Sequence, residues 1–261
     1  MPSLSERKLL RSLRRRTRRR EQGLFLAEGA RVVGDLLAAG LAVRLGLYTE
    51  AAAGDPDVAP LLDRLREVAA GTERVSEADL AGLADTVTPQ GVLVAAEIPR
   101  RSWEDLRGRR LLVLDGVQDP GNLGTLVRTA EALGADGVLV LPGTTDPWGP
   151  KAVRAAAGSS FRLPLLEPET DAALDGLRRR GVPLWAADAD GEPVRRDDPP
   201  PRAVALALGN EGAGLSAAVR AAADRTVAIA QAGGAESLNV AVAGALLMDR
   251  IFAGGRRAED D

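Results

Sequence analysis

Residues 111–128 read LLVLDGVQDPGNLGTLVR, and this stretch predicts the fold of the second half of the chain. An apolar run leads into a turn rich in Gly, Pro and Asn, and helical spacing follows the turn. A strand, a turn and a helix in this order begin a βαβ unit, and ligands of open α/β sheets bind at the carboxyl ends of such strands. The turn has neither the G-x-G-x-x-G pattern of dinucleotide-binding proteins nor the Gly-Lys-Ser/Thr of P-loops. An NAD or ATP enzyme is therefore disfavoured.

Apolar runs further along the chain predict the remaining strands of one sheet. They cover residues 137–141, 161–166, 182–187, 203–208 and 226–230. Strands buried on both faces read as continuous apolar runs, and the helical stretches between most of them imply parallel crossovers. We therefore predict an α/β domain with a parallel sheet for residues 111–261.

Residues 1–98 predict a smaller α/β domain. Leu4 to Arg20 carries a ragged leucine stripe with arginines on the other faces, which predicts a basic helix. Strand and helix patterns then alternate at residues 23–27, 29–39, 42–48, 57–69 and 91–98. Residues 99–110, PRRSWEDLRGRR, are charged and lack a sustained apolar period, which predicts a linker.

Positive charge is concentrated in the first 20 residues, although the whole chain carries a net charge of −3. Such a cluster is typical of segments that bind nucleic-acid phosphates, and its alternative is a solvated basic tail. The predicted RNA-binding residues are Arg14, Arg15, Arg16, Arg18, Arg19 and Arg20. No apolar stretch follows this cluster as in a secretory signal, and residues 238–248 are too few to span a bilayer. We expect a cytoplasmic protein with no membrane partner.

Composition excludes several kinds of chemistry. The 261 residues include no Cys and no His, which removes disulfides, thiol nucleophiles, histidine bases and nearly all zinc sites, so we predict no metal. Hydrophobic residues make up 45% and charged residues 27%, as in ordinary globular proteins. Any catalysis must use Arg, Lys, Asp, Glu, Ser, Thr, Asn or Tyr.

Two later segments also place polar residues where strands end. Residues 203–215, AVALALGNEGAGL, run from a buried strand into a glycine-rich loop that permits close backbone approach to a ligand, with Glu211 in the ligand crevice. Residues 226–252 contain a strand, a glycine-rich loop and a helix whose residues 238–248 are apolar on nearly every face except at Asn239. A helix that is apolar all round is buried, and we expect this one to pack against a second subunit.

Each of these polar residues also has a purely structural interpretation. Asn122 and Ser237 are suitable helix caps, and Ser216 caps a helix if the second loop is an ordinary strand-to-helix turn. Arg128 has Glu131 three residues away as a possible surface partner.

Together the three segments resemble the SpoU/TrmH family of the SPOUT superfamily, the S-adenosylmethionine-dependent RNA ribose 2'-O-methyltransferases. The first family motif matches at Asn122, Gly124, Arg128, Leu133 and Gly134, the second at Gly209, Asn210, Glu211, Gly212, Gly214 and Leu215, and the third at Ser237, Leu238, Asn239 and Val240. Residues 1–98 are similar to the family's ribosomal-protein-like substrate-binding domain. The chain departs from the family at Ala230 and Gln231, where Pro is usual, and at Ala156, where Ser is frequent. We expect these departures to affect donor affinity and target choice.

The resemblance implies a deep trefoil knot in the C-terminal parallel-sheet domain and a homodimer whose active site is shared between subunits. It implies transfer of a methyl group from S-adenosylmethionine to a ribose 2'-hydroxyl, with ribosomal RNA as the expected substrate. The implied catalytic residues are Asn122, Arg128, Glu211, Ser237 and Asn239. The implied donor-binding residues are Leu208, Gly209, Asn210, Gly212, Ile229, Gln231 and Leu238.

Arg128 is a poor base because a guanidinium stays protonated, so we expect it to grip the RNA phosphate beside the target ribose. The resemblance further implies that it reaches the cofactor of the partner subunit. Three other functions stay open: a catalytically inactive RNA-binding protein on the same scaffold, a tRNA ribose methyltransferase, and a small-molecule methyltransferase with an open sheet. The last has the wrong glycine spacing and leaves the basic N-terminus unexplained.

Overall fold

A computed structural model describes residues 3–230, 233 and 237–252. The chain divides into two compact units. The first comprises Met1–Arg100 together with Trp148–Arg162, and the second comprises Arg101–Pro147 together with Leu163–Asp261. Within the described ranges, no helix is both long enough and apolar enough to cross a membrane.

Helices and strands alternate along most of the described chain. The helices are α1 (Leu4–Ser12), α2 (Arg16–Gln22), α3 (Ala30–Ala38), α4 (Glu50–Gly54), α5 (Ala59–Val68), α6 (Glu77–Leu83), α7 (Pro120–Ala132), α8 (Pro150–Ala156), α9 (Ser159–Arg162), α10 (Thr170–Arg180), α11 (Ala217–Ala222) and α12 (Val240–Phe252). The strands are β1 (Leu24–Glu28), β2 (Val43–Tyr48), β3 (Thr72–Arg74), β4 (Val92–Glu97), β5 (Arg110–Asp115), β6 (Gly137–Val140), β7 (Leu165–Leu166), β8 (Leu184–Pro193), β9 (Val204–Gly209) and β10 (Arg225–Ala228).

The first unit is built on a four-stranded mixed sheet in the order β1-β4-β2-β3. β4 is antiparallel to both of its neighbours, and β2 is parallel to β3. Helices α1 and α6 cover the sheet with leucines, and Leu10, Leu13 and Leu80 are completely buried. The basic N-terminal segment is thus anchored by its apolar residues, which leaves most of its arginines at the surface.

The predicted single basic helix over residues 4–20 is wrong, because the chain turns between α1 and α2. Leu13, at this corner, is buried in the core of the unit, and the Nη1 of Arg19 donates a hydrogen bond of 2.7 Å to its carbonyl oxygen. Burial of one leucine and satisfaction of its carbonyl therefore fix a corner that the leucine spacing does not reveal.

Residues 148–162 belong to the first unit, whereas the sequence predicts them within the domain over residues 111–261. The ring of Phe25 in β1 packs against Trp148 and Phe161, with centroid distances of 5.0 and 5.7 Å. The strand predicted over residues 161–166 is wrong in its first half, because Phe161 lies in α9 and only β7 remains as strand.

The second unit contains the predicted parallel sheet. Its order is β10-β8-β9-β5-β6-β7, and every neighbouring pair is parallel. β5 and β9 lie at the centre, and their registered ends, Asp115 and Gly209, bring the turns after the two strands to the same edge. The carboxyl ends of parallel strands are where an open sheet binds ligands. The trefoil knot stays a prediction.

Candidate active site

The turn after β5 prepares the start of helix α7. Gly116 adopts a φ of 79°, which favours glycine, and its N–H donates to the hydroxyl of Thr144 at 2.9 Å. Asp119 then caps α7, because its carboxylate accepts the N–H of Asn122 at 2.9 Å. The alternative in which Asn122 itself is the helix cap is therefore wrong, and the Asn122 side chain is left to bind elsewhere.

The loop after β9 is folded tightly around Asn210. The Oδ1 of Asn210 accepts the N–H groups of Gly212 and Ala213, at 2.9 and 2.8 Å, and its Nδ2 donates to the carbonyl of Gly116 at 2.8 Å. A Cβ atom on Gly209 would lie 2.3 Å from the carbonyl carbon of Gly214, so only glycine fits there. Ser216 caps α11 as its structural interpretation suggested, with its hydroxyl accepting the N–H of Val219 at 3.4 Å.

Three of the predicted catalytic side chains form one hydrogen-bonded chain. The Nδ2 of Asn122 donates to Glu211 Oε1 at 3.0 Å, and the Nδ2 of Asn239 donates to Asn122 Oδ1 at 3.1 Å. Each of the three comes from a different sequence motif. The network therefore joins the first turn of α7, the loop after β9 and the start of α12.

Glu211 is held as a carboxylate. Its oxygens also accept the backbone N–H groups of Gln118 and Asp119, at 3.1 and 3.3 Å. Partial burial alone would raise the pKa of Glu211, but the hydrogen bonds from Asn122 and from these two amides outweigh burial and leave the pKa below its ordinary value. The group is consequently a charged acceptor at neutral pH.

Asn239 also begins helix α12. Its Oδ1 accepts the N–H groups of Ala241 and Val242, at 2.9 and 3.3 Å. Asn239, and not Ser237, is thus the residue whose side chain caps this helix, so the capping interpretation of Ser237 is wrong. The oxygen of this one side chain thus accepts N–H groups at the helix terminus, while its nitrogen donates to Asn122 in the network.

Helix α12 is buried on one side only. Gly244 faces inward so closely that a Cβ atom there would lie 2.4 Å from the side chain of Leu126 in α7. On the outer side, Val242 and Leu246 are 49% and 39% exposed. The prediction of a helix buried all round is therefore correct for the inner face alone, and an apolar outer face remains.

A cavity of about 340 Å³ lies at the carboxyl ends of β9 and β10 and beside residues 187–189 in the middle of β8. Six of the predicted donor-binding residues line it: Leu208, Gly209, Asn210, Gly212, Ile229 and Leu238. Ser237 and Glu211 line it too, whereas Gln231 lies outside the described residues. Ala156 is buried in α8 and Ala230 is exposed, and neither lines this cavity.

Other lining residues are not predicted by the sequence motifs, above all Asp188 after the buried part of β8 and Arg220 in α11. The one available signal was the end of the apolar run at residue 187. Strand order decides which loops meet, and a run of apolar residues does not reveal that β8 lies beside β9.

Arg128 is not part of the network or the cavity wall. It lies six residues after Asn122 on α7, about 240° around the helix axis, so its side chain leaves the helix in another direction. The side chain is exposed, and within the described part of the chain it pairs with no carboxylate, Glu131 included.

The predicted RNA-binding arginines fall into different environments. Arg19 is buried, as described above. Arg14 donates to the carbonyl of Ala84, and Arg18 pairs with Glu21 at 2.6 Å. Arg15 and Arg20 are exposed and Arg16 is half-buried. The cluster thus combines structural arginines with ones that face solvent.

Comparison with known proteins gives two family matches. Residues 109–249 match the SpoU rRNA Methylase family, and residues 6–94 match the MRM3-like substrate binding domain. The chain is 37% identical over 174 residues to the 23S rRNA (guanosine(2553)-2'-O)-methyltransferase RlmP of Bacillus subtilis, covering 67% of this chain and 69% of that protein.

Two solved structures are similar over nearly the whole chain. The AdoMet-bound rRNA methyltransferase from Sinorhizobium meliloti has a TM-score of 0.84 at 32% identity, covering 96% of this chain and 95% of that one. The SpoU methyltransferase AviRb from Streptomyces viridochromogenes, in complex with AdoMet, has a TM-score of 0.86 at 30% identity, covering 95% and 97%.

Proposed function

This chain belongs to the SpoU rRNA methylase family, and we propose that it transfers a methyl group from S-adenosylmethionine to a ribose 2'-hydroxyl of ribosomal RNA. The observation that carries the proposal is the hydrogen-bonded chain Glu211–Asn122–Asn239 beside a cavity lined by the second and third motifs. These side chains supply fixed hydrogen-bonding groups and a carboxylate, which is what a reaction that depends on orienting a hydroxyl requires.

The cavity suits a nucleoside-containing methyl donor. Its volume falls within the range of about 300–1,000 Å³ that is common for small-molecule sites. Leu208, Ile229 and Leu238 provide apolar walls for a purine, and Gly209 allows backbone to approach closely. When bound, S-adenosylmethionine supplies an already activated methyl group on a sulfonium.

The chain's own residues orient the acceptor. Glu211 stays ionised and fixes the carboxamide of Asn122, which in turn receives the Asn239 amide. Ser237, exposed at the cavity rim, supplies a hydroxyl toward the ribose. We assign Arg128 to the RNA phosphate next to the target ribose, where its charge stabilises the developing alkoxide.

Arg128 requires a second subunit in this account. Its side chain is exposed on α7 and lies outside the network of its own chain, and α12 has an apolar outer face that carries Val242 and Leu246. Helices α7 and α12 pack on each other, and we take their exposed faces together as one candidate surface. We assign this surface to a homodimer in which Arg128 completes the active site of the partner subunit.

The first unit is assigned to RNA capture. It matches a substrate-binding domain, and the solvent-facing arginines of its N-terminal helices offer positive charge to phosphates. Phosphate contacts give affinity without base specificity, so the choice of nucleotide must come from other contacts.

We assign the methyl transfer to the cytoplasm.

Methyl transfer to defined RNAs tests the proposed function. Purified protein is incubated with methyl-labelled S-adenosylmethionine and, separately, with 23S rRNA, assembled large ribosomal subunits and tRNA; the 23S rRNA comes first because the B. subtilis relative is named for it. Label should enter ribosomal RNA and not tRNA. Label in tRNA alone would favour the tRNA enzyme, and RNA binding without transfer would favour the inactive RNA-binding protein.

A further inference from the structure

An ion pair that no sequence motif predicted lies in the wall of the cavity. The Nη1 of Arg220 is 2.8 Å from Asp188 Oδ2, and both residues line the cavity. Asp188 follows the buried part of β8, and Arg220 lies in α11, the helix that comes after the glycine-rich loop. Apart from Glu211, these are the charged side chains among the described lining residues.

Arg220 ties the glycine-rich loop to β8. Its Nε donates to the carbonyl of Leu215 at 3.1 Å, while its Nη1 reaches Asp188. Its guanidinium also lies so close to Gly214 that a Cβ atom there would be 2.7 Å from it. One arginine therefore fixes the end of the loop and the carboxylate opposite, which makes it a positioning group.

Asp188 keeps acceptor capacity for a ligand. Arg220 occupies Oδ2, and the N–H of Asp190 donates to Oδ1 at 3.3 Å. An ionised carboxylate offers roughly four acceptor positions, so about two remain. The side chain is 21% exposed and faces the cavity, where a bound molecule can reach it.

The position of Asp188 in the sheet indicates which part of a bound methyl donor it can contact. In the sheet, β8 and β5 lie on opposite sides of β9, and neighbouring strands are about 4.8 Å apart. Asp188 is thus roughly 10 Å across the sheet from the turn after β5, where the N–H groups of Gln118 and Asp119 bind the Glu211 carboxylate. The transferred methyl belongs beside the Glu211 network, so the nucleoside end of the donor belongs toward Asp188.

We propose that the Asp188 carboxylate binds the ribose diol of the donor's adenosine, and that Arg220 is the residue that positions it. Two adjacent hydroxyls donating to one carboxylate form charge-assisted hydrogen bonds, and an acidic residue at a strand end binds a nucleoside ribose in this way in other α/β sheets. The inference rests on the proposed function, because it takes a nucleoside-containing donor as the occupant of the cavity.

Calorimetric titration of the full-length protein tests the assignment with three ligands: S-adenosylhomocysteine, adenosine and 2',3'-dideoxyadenosine. The wild-type protein should bind adenosine about tenfold more tightly than the dideoxynucleoside. Asp188→Asn should weaken the binding of S-adenosylhomocysteine and of adenosine by about tenfold and leave the affinity for the dideoxynucleoside unchanged. Asp190→Asn, an exposed neighbour on the same strand, should keep the wild-type preference.

Arg220 is tested through the same preference. Arg220→Met should reduce the discrimination between adenosine and the dideoxynucleoside, and Arg220→Lys, which keeps a cation beside Asp188, should restore most of it. A general structural defect would weaken the binding of all three ligands alike, and Arg220→Lys would then not restore the preference for adenosine.

Two results would overturn the assignment. If Asp188→Asn weakens the binding of all three ligands equally, the carboxylate has only a structural role. If it weakens the binding of S-adenosylhomocysteine alone, the carboxylate binds the amino-acid end of the donor and not the ribose. In both cases the wild-type protein still binds S-adenosylhomocysteine, so the proposed function survives; a wild-type protein that binds none of the three ligands contradicts both.

Discussion

Asn122 donates a hydrogen bond of 3.0 Å from Nδ2 to Oε1 of Glu211, a residue 89 positions later in the chain. Among residues 3–230, 233 and 237–252, neither side chain caps a helix or pairs with a surface cation, which are the usual structural uses of such residues. The bond forms because the parallel register of β5 and β9 brings the following turns together. Its consequence is a fixed carboxamide that also receives Asn239 at 3.1 Å.

Removing Asn122 should slow the reaction without weakening donor binding. Asn122 does not line the cavity, so Asn122→Ala should lower kcat about 100-fold and change the Kd for S-adenosylhomocysteine by less than about threefold. Single-turnover kinetics and calorimetry measure the two quantities. Thr129→Ala, on the same helix, is the matched control and should keep both values. Equal losses in rate and donor affinity would argue against an orienting role.

Glu211 should set the acid limb of the rate profile. Its folded-state pKa is lowered, so its contribution to rate and stability is present at neutral pH and is lost as pH falls through that lowered value. Asn122→Ala removes one of the hydrogen bonds that lower the pKa, so the acid limb should move to higher pH. A profile of kcat against pH checks the shift. An unchanged limb in Asn122→Ala would mean that another group controls it.

Gly209→Ala should damage the loop that walls the cavity. The new Cβ would lie 2.3 Å from the backbone of Gly214. The loop cannot move away from the end of β9 to relieve this clash without breaking the bridge between Asn210 and Gly214. We expect a loss of about 2 kcal/mol or more in the free energy of unfolding and a donor affinity at least tenfold weaker. In the same loop Gly212→Ala meets only ordinary contact, at 3.7 Å, and its Tm should be unchanged. Chemical denaturation distinguishes the two variants.

Leu246→Glu should separate the subunits. A carboxylate on the apolar outer face of α12 cannot be desolvated in an interface without a partner. Light scattering after gel filtration should show a monomer without methyltransferase activity, whereas Leu4→Glu, at a residue that is 89% exposed in the first unit, should stay dimeric and active. A dimer in Leu246→Glu would place the interface elsewhere.

Co-expression tests whether Arg128 acts in the partner's site. Arg128→Ala and Asn239→Ala should each be inactive alone. Mixed dimers contain one site with both residues intact, so random pairing should restore about a quarter of the wild-type activity. Absence of any recovery would mean that Arg128 serves its own subunit.

Arg15 and Arg19 should behave differently although they lie in one basic run. Arg15 is exposed, so Arg15→Ala should reduce the slope of log affinity for RNA against log salt by about one and leave the Tm unchanged. Arg19 is buried against Leu13, so Arg19→Ala should lower the Tm. Filter binding across salt concentrations, together with thermal unfolding, separates the two effects.

The sequence was sufficient to predict the parallel sheet and the residues near the cavity, because buried strands and glycine loops leave local patterns. Strand order leaves no such pattern, so the sequence predicts strand β8 but does not predict that Asp188 lines the cavity. The corner at Leu13 and the packing of residues 148–162 on Phe25 also depend on contacts distant in sequence. Asn239 illustrates the same limit. The sequence motif predicts it as a site residue, but its hydrogen bond to Asn122 joins positions far apart in the chain and follows only from the fold.

The position of the transferred methyl group tests the central claim most directly. Ribosomal RNA labelled by the wild-type protein and methyl-labelled S-adenosylmethionine is hydrolysed in alkali, which cleaves only beside a free 2'-hydroxyl. We predict that the label stays in alkali-resistant dinucleotides, and that over the same incubation Asn122→Ala leaves about 100-fold less label there. Label released in mononucleotides would show methylation of a base and would contradict the assignment of this site to a ribose hydroxyl.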